Sequence, residues 1–212
     1  MIVHPCEQGT PEWQLVRIGI PTASRFDVLI TAKKLEPADG AGMRTYLCEK
    51  LAERLLGKPI ETGSSGYMVR GSAMESQARE WYQFTRDVEV TQAGFVALDD
   101  GSAGGSPDGY VGDDGIIEIK TYSVTHHIAA LLEHETGHAA QCQGLLWLTD
   151  RKWVDLVFYS PCLPPIVQRV ERDDRYIAKL DVAVQAFTER LEESMTKLVR
   201  MGCEITAVAR EG

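Results

Sequence analysis

The sequence predicts an α/β fold, a central mixed β-sheet flanked by helices, in a single domain spanning 1–212. Three observations predict it. Apolar residues recur at helical spacing before about residue 86 and again after about residue 173. Between them lie short runs rich in Val, Ile and Tyr, broken by Gly and Asp. A chain that is 44% hydrophobic over 212 residues can bury one sizeable core. The expected division is an N-terminal helical part, about 1–86, and a core sheet with a C-terminal helix, about 87–212.

The elements follow in order. Thr10-Pro11-Glu12 reads as an N-cap with proline in the first turn, opening a short helix with Trp13, Leu15, Val16 and Arg17. Pro21-Thr22-Ala23-Ser24 starts a second short helix carrying Phe26, Val28 and Leu29. Tyr46, Leu47, Leu51, Leu55 and Leu56 mark a helix from about Gly42, stopped by Gly57 and Pro59. Gly63-Ser-Ser-Gly66 reads as a loop, and Met74, Ala78, Trp81 and Tyr82 line a helix from about Gly71 to Thr85. Strands are expected at Val88–Thr91, Gly94–Leu98, Ala103–Val111 and Gly115–Tyr122, the last two joined by the turn Gly112-Asp-Asp-Gly115. Helices at about Val124–Glu133 and His138–Leu148, strands at Trp153–Tyr159 and Ile166–Glu171, and a long amphipathic helix from Asp173 to Met201 complete the chain.

Composition narrows the function. A net charge of −9 argues against coating nucleic acid nonspecifically, but it allows a local basic groove; arginine outnumbers lysine, 14 to 8. Five cysteines at 6, 48, 142, 162 and 203 contain no C-x-x-C pair, which argues against a disulfide framework, zinc knuckle or iron–sulfur cluster. No run of about 18 apolar residues exists to span a membrane, and the first residues lack a signal-peptide pattern, so a cytoplasmic protein is expected.

The stretch that carries chemistry is Ser106-Pro107-Asp108-Gly109, followed by Glu118-Ile119-Lys120. Residues two apart on a strand share a face, so Glu118 and Lys120 point one way and Ile117 and Ile119 the other. Asp108 lies five residues before the turn pair Asp113-Asp114, and Glu118 four residues after it. A hairpin therefore sets the two carboxylates nearly opposite one another. Paired carboxylates are hard ligands for Mg²⁺, which polarises a phosphodiester and activates water. Lys120 would orient that water and offset charge in the transition state. A Glu and a Lys inside an apolar strand need such a reason; the plain alternative is a solvated surface hairpin.

With these motifs on view, the sequence resembles the PD-(D/E)XK nuclease superfamily and, within it, the lambda-type phage recombination (alkaline) exonucleases. The resemblance covers nearly the whole chain: Trp13 with Arg17-Ile-Gly-Ile-Pro-Thr-Ala-Ser24, Arg70-Gly71 leading to Glu75, Ser106-Pro-Asp-Gly109, Glu118-Ile-Lys120, Ala140-Gln141-Cys-Gln143 with Trp147, and Glu171-Arg-Asp173. It implies a restriction-endonuclease-like core. It implies catalytic Lys120, Asp108, Glu118, Glu75 and Gln143, and a metal set of Asp108, Glu118, Glu75 and Ile119. Two Mg²⁺ ions, with Mn²⁺ as a substitute, are implied. Arg17, Ser24 and Thr22 resemble the family's 5′-phosphate pocket, Trp13 its apolar wedge, and Gln141 a DNA contact. On the residues alone, Glu75 with Arg79 reads first as an i, i+4 surface pair, and Trp13 first as a core residue.

The resemblance further implies 5′→3′ digestion of double-stranded DNA to mononucleotides, a ring-shaped homotrimer and a single-strand annealing partner. An endonuclease, or an exonuclease of other polarity, would share the same three catalytic residues, and a non-catalytic DNA-binding module is the third reading. His138 stands where the family often has tyrosine, and the loop Ala32–Gly42 also departs from it. His126, His127, His134 and His138 have no further ligand at zinc-like spacing.

Overall fold

The computed structural model describes residues 1–60, 65–133 and 137–206, and side chains throughout these except at 65–73 and 133. Eight strands and six α-helices are found among them: β1 Ile2–His4, α1 Pro11–Val16, α2 Ala41–Leu56, α3 Ser65–Arg86, β2 Val90–Thr91, β3 Phe95–Ala97, β4 Gly104–Gly105, β5 Gly109–Val111, β6 Gly115–Thr121, α4 Val124–Glu133, α5 Ala139–Thr149, β7 Trp153–Tyr159, β8 Ile166–Glu171 and α6 Asp174–Arg200.

The mixed sheet has the order β2-β5-β6-β7-β8, with β6 and β7 parallel and the other neighbours antiparallel. Parallel neighbours need a crossover, and α4 with α5 supplies it. Both faces of the sheet are covered. Ile116, Val154, Leu156 and Phe158 pack with residues of α5 and α6, including Leu145, Leu146, Leu180 and Phe187. On the other face Ile117, Ile119 and Val157 pack with Ala78 and Tyr82 of α3. Buried Asp155 ties α3 to this face: it accepts from Tyr82 Oη at 2.6 Å and from Arg169 Nε and a terminal guanidinium nitrogen at 2.8 and 2.9 Å. A carboxylate that deep is tolerable only with such partners.

The mixed sheet between helices is as the sequence predicts. Four details differ. The second short helix is a 3₁₀ helix over Ala23–Val28, not an α-helix. Helix α3 already includes Ser65 and Gly66, while Gly63 and Ser64 lie outside the described residues. Ala103–Val111 is two strands rather than one: β4 pairs with β3, whereas β5 pairs with β2 and β6. Ser106-Pro107-Asp108 carries the chain between the two sheets, and proline's missing N–H suits such a break. Finally, Ile2–His4, unassigned from sequence, pairs with Phe95–Ala97 in the second sheet, β1-β3-β4.

Candidate active site

The site begins at the β5–β6 hairpin. Val111 pairs with Gly115 and Gly109 with Ile117, so one step further Asp108 stands opposite Glu118. The hairpin turns at Gly112, whose φ of +54° suits glycine. Gly109 has a different reason: a Cβ there would lie 2.3 Å from Val90 Cγ1. The Asp108 N–H donates to the Ile117 carbonyl at 3.1 Å, and Asp108 Oδ2 accepts the Ile119 N–H at 2.6 Å. The carboxylate is thus locked to the backbone between Glu118 and Lys120.

Glu118 is 5% exposed. Its Oε1 accepts from Lys120 Nζ at 2.9 Å and from Gln141 Nε2 at 2.6 Å, and Gln141 Oε1 accepts from Lys120 Nζ at 2.8 Å. These three side chains form a closed ring of hydrogen bonds. The other oxygen, Oε2, is buried with no partner among the described residues. An unpaired buried carboxylate oxygen is costly, and at a functional site it marks a position for a donor or a cation.

Glu75 approaches from α3, where Oε1 accepts from an Arg79 terminal guanidinium nitrogen at 2.7 Å. Burial raises the Glu75 pKa, Arg79 opposes the rise, and the Glu118 charge adds to it. Burial also raises Glu118. Asp108 is pushed well above the ordinary carboxylate range, first by burial, then by Glu118 and Glu75; the Ile119 N–H and Lys120 pull only partly the other way. Lys120 feels burial against its ammonium form, but Glu118 and Asp108 outweigh it and its pKa is raised. The lysine is therefore a fixed cation, unsuited to accept a proton.

Asp108 thus feels Glu118, Glu75 and Lys120, and the three carboxylates share one electrostatic neighbourhood. Three carboxylates crowded beside one lysine and one arginine fit a divalent cation chemically, since oxygen donors are what Mg²⁺ and Mn²⁺ take. Among the described residues no three acidic, histidine or cysteine side chains already form a ready-made ligand set. Two of the carboxylates are engaged elsewhere: Asp108 with Ile119 N–H, and Glu75 with Arg79.

Other residues singled out from sequence are placed differently. Gln143 does not reach the carboxylates. It is buried, donates to the Glu171 carbonyl and accepts the Asp173 N–H, both at 2.8 Å, so it fastens α5 to the start of α6. Gln141, expected at DNA, is the glutamine in the ring. Two residues apart on a helix point to nearly opposite sides, so only one could be. The Ile119 side chain packs under α3 and its N–H is taken, leaving its carbonyl as the group able to meet a cation. His138 Nε2 hydrogen-bonds Tyr122 Oη at 2.6 Å; burial and then Lys120 hold its pKa down to about 4, so it is a neutral ring. His127 Nε2 bonds the Pro164 carbonyl at 2.9 Å, and His134 lies outside the described residues.

Around Arg17 a second cluster forms. Its guanidinium carbon lies 3.7 Å from the Trp13 ring centroid, and among the described residues it has no hydrogen-bonded acceptor or ion-pair partner. Burial lowers its pKa, with Tyr46 and Glu53 opposing. Trp13 Nε1 donates to Ser106 Oγ at 2.8 Å, which ties this cluster to the connection that carries Asp108. Thr22 is buried and its N–H donates to Tyr46 Oη at 2.9 Å, so that N–H is not free for a ligand. Its hydroxyl lies 3.3 Å from that of exposed Ser24. Arg25 and Lys50 flank the same Tyr46 ring at 4.7 and 5.3 Å. The sequence reading missed Tyr46, Arg25 and Lys50; a basic residue beside Ser24 was the only visible signal.

The pattern of the YqaJ-like viral recombinase domain matches residues 12–152, a span that includes Arg17, Glu75, Asp108, Glu118, Lys120 and Gln141. The chain belongs to the YqaJ-like viral recombinase family. Among solved structures, it is similar to the alkaline exonuclease LHK-Exo of Laribacter hongkongensis, with 33% identity, a TM-score of 0.81, and coverage of 91% of this chain and 98% of that one. LHK-Exo in complex with dAMP gives 33% identity and a TM-score of 0.82 over the same shares. A phage-related exonuclease from Haemophilus somnus shares the fold at 17% identity and a TM-score of 0.66, covering 84% of this chain and 96% of its own. No curated protein matches the chain. The family assignment accords with the lambda-type exonuclease resemblance read from sequence.

Proposed function

We propose that the chain is a divalent-metal-dependent deoxyribonuclease, a 5′→3′ exonuclease that digests double-stranded DNA to mononucleotides and leaves 3′ single strands for recombination. The observation that carries the reading is the gathering of Asp108 and Glu75 about Glu118, which holds Lys120, with the buried Glu118 Oε2 unpaired among the described residues. Family membership and the alkaline exonuclease relative support it.

In this reading Asp108, Glu118, Glu75 and the Ile119 carbonyl hold Mg²⁺, or Mn²⁺ in its place, two ions being expected. The bound ion supplies Lewis acidity toward the phosphate and an activated water. The protein's own part is positioning. Gln141 and Glu118 fix the Lys120 ammonium, which stays charged and faces the charge that develops on the phosphate. The Ile119 N–H holds Asp108 in one rotamer. Arg17, with Ser24 and the Thr22 hydroxyl, receives the terminal 5′-phosphate, because its guanidinium has donors to spare. That LHK-Exo is known with dAMP supports release of mononucleotides. The ring-shaped homotrimer and the single-strand annealing partner belong to the same proposal through the lambda-type resemblance.

Linear duplexes labelled at either end, with and without a 5′-phosphate, test it beside covalently closed circles. The expected result is loss of nucleotides from phosphorylated 5′ ends and survival of circles. Rapid cutting of circles would instead favour an endonuclease, and DNA binding without turnover in Mg²⁺ a non-catalytic module.

A further inference from the structure

Arg79 lies one helical turn from Glu75, partly buried beside the carboxylates. One terminal nitrogen holds Glu75 Oε1 at 2.7 Å. Its Nε is buried with no acceptor among the described residues. A guanidinium rarely gives up a hydrogen bond in this way unless its position is dictated by charge. The charge is evident: Glu75 feels Glu118, and Asp108 feels both. Lys120 serves Glu118, and Glu75 has Arg79.

We propose that Arg79 is a resident counter-cation that occupies Glu75 while the site holds no metal and releases it when a divalent ion binds. This rests on the metal-site reading above. It follows from two facts together. Glu75 Oε1, a ligand atom in that reading, is already engaged by Arg79, and no ready-made ligand set exists among the described residues. A cation that binds through Oε1 displaces Arg79 from it, and one that binds anywhere on Glu75 bears the repulsion of the guanidinium charge. Arg79 keeps the metal-free carboxylates from repelling one another and, in exchange, raises the cation concentration at which the site loads.

The sign of one effect separates this from a purely structural role. If Arg79 merely held Glu75 in place, neutralising it would loosen the ligand and weaken metal binding. If it competes with the metal, neutralising it strengthens binding. Mn²⁺ titrations by calorimetry on the full chain, without DNA, compare wild type with Arg79→Met, Arg79→Gln, Arg79→Lys and Glu75→Gln, with thermal melts to verify folding. Tighter Mn²⁺ binding by about five- to ten-fold is expected in either neutral variant, roughly the effect of removing one unit charge near a divalent ion in a wet site. Arg79→Lys stays near wild type, and Glu75→Gln binds more weakly. Unchanged or weaker binding in whichever neutral variant folds overturns the proposal. Absence of Mn²⁺ binding in wild type overturns the metal site itself, a different and recognisable failure.

Discussion

Replacing Asp108 by Asn should make the metal-free protein more stable while removing its activity. Asp108 sits with Glu118 and Glu75, whose cationic partners are Lys120 and Arg79, and among the described residues the Ile119 N–H alone donates to its side chain. Two carboxylates about 5 Å apart at an effective dielectric near 20 repel by roughly 3 kcal/mol. Lys120, already paired with Glu118, offsets part of that, leaving a penalty of about 1–2 kcal/mol. In a chain of this length that corresponds to a rise in Tm of about 3–6 °C. The amide oxygen of Asn can still accept the Ile119 N–H, so the backbone tether survives. The sign with pH follows from the raised pKa of Asp108. The native state binds the proton more readily than the unfolded chain, so wild-type stability without metal falls as pH rises above the ordinary carboxylate range. Asn removes that loss. Calorimetric melts in a chelator from pH 5 to pH 8 measure it, the variant's advantage growing with pH. Excess Mg²⁺ should then raise the wild-type Tm and leave the variant unmoved. A variant less stable than wild type in chelator, or one equally stabilised by Mg²⁺, would refute the reasoning.

Further outcomes are expected. Lys120→Ala should keep Mn²⁺ binding, seen by calorimetry, but lose cleavage by about 10²–10³-fold, the usual effect of removing a transition-state charge partner. Gln141→Ala should lower turnover with little change in melting, whereas Gln143→Ala should cost about 1–3 kcal/mol of stability, because it leaves a carbonyl and an N–H at the α5–α6 junction without their partner. Arg17→Ala should slow digestion of 5′-phosphorylated ends more than of hydroxyl ends in a paired end-label assay. Because Asp108, Glu75 and Glu118 all have raised pKa values, calorimetric Mn²⁺ affinity should fall as pH drops from 8 toward 5, with proton release on binding, at higher pH than ordinary carboxylates would give.

How far the sequence carried this reading depends on the range of each interaction. The Glu118-Ile-Lys120 strand was legible because a period of two among apolar neighbours fixes which side chains share a face, and the Gly112–Gly115 turn set the register that brings Asp108 opposite Glu118. Glu75 and Arg79 show the opposite case. Their spacing spelled an i, i+4 pair, and the pair exists, but only tertiary contact put it beside Glu118. Gln141 and Gln143 were exchanged because periodicity within a helix buried on nearly all sides cannot say which side meets the active site and which meets α6. Ala103–Val111 was read as one strand because the switch between two sheets at Ser106–Asp108 depends on distant partners, β3 for one half and β2 and β6 for the other. Tyr46 meets Thr22 from 24 residues away, so its part in the Arg17 cluster left no local trace.

Anomalous diffraction from crystals grown with Mn²⁺ tests the metal site most directly. A Mn²⁺ peak bounded by Asp108, Glu118 and Glu75, within reach of the Ile119 carbonyl and with Arg79 withdrawn from Glu75, is the predicted outcome. A peak elsewhere on the protein, with these three carboxylates unchanged, would contradict it.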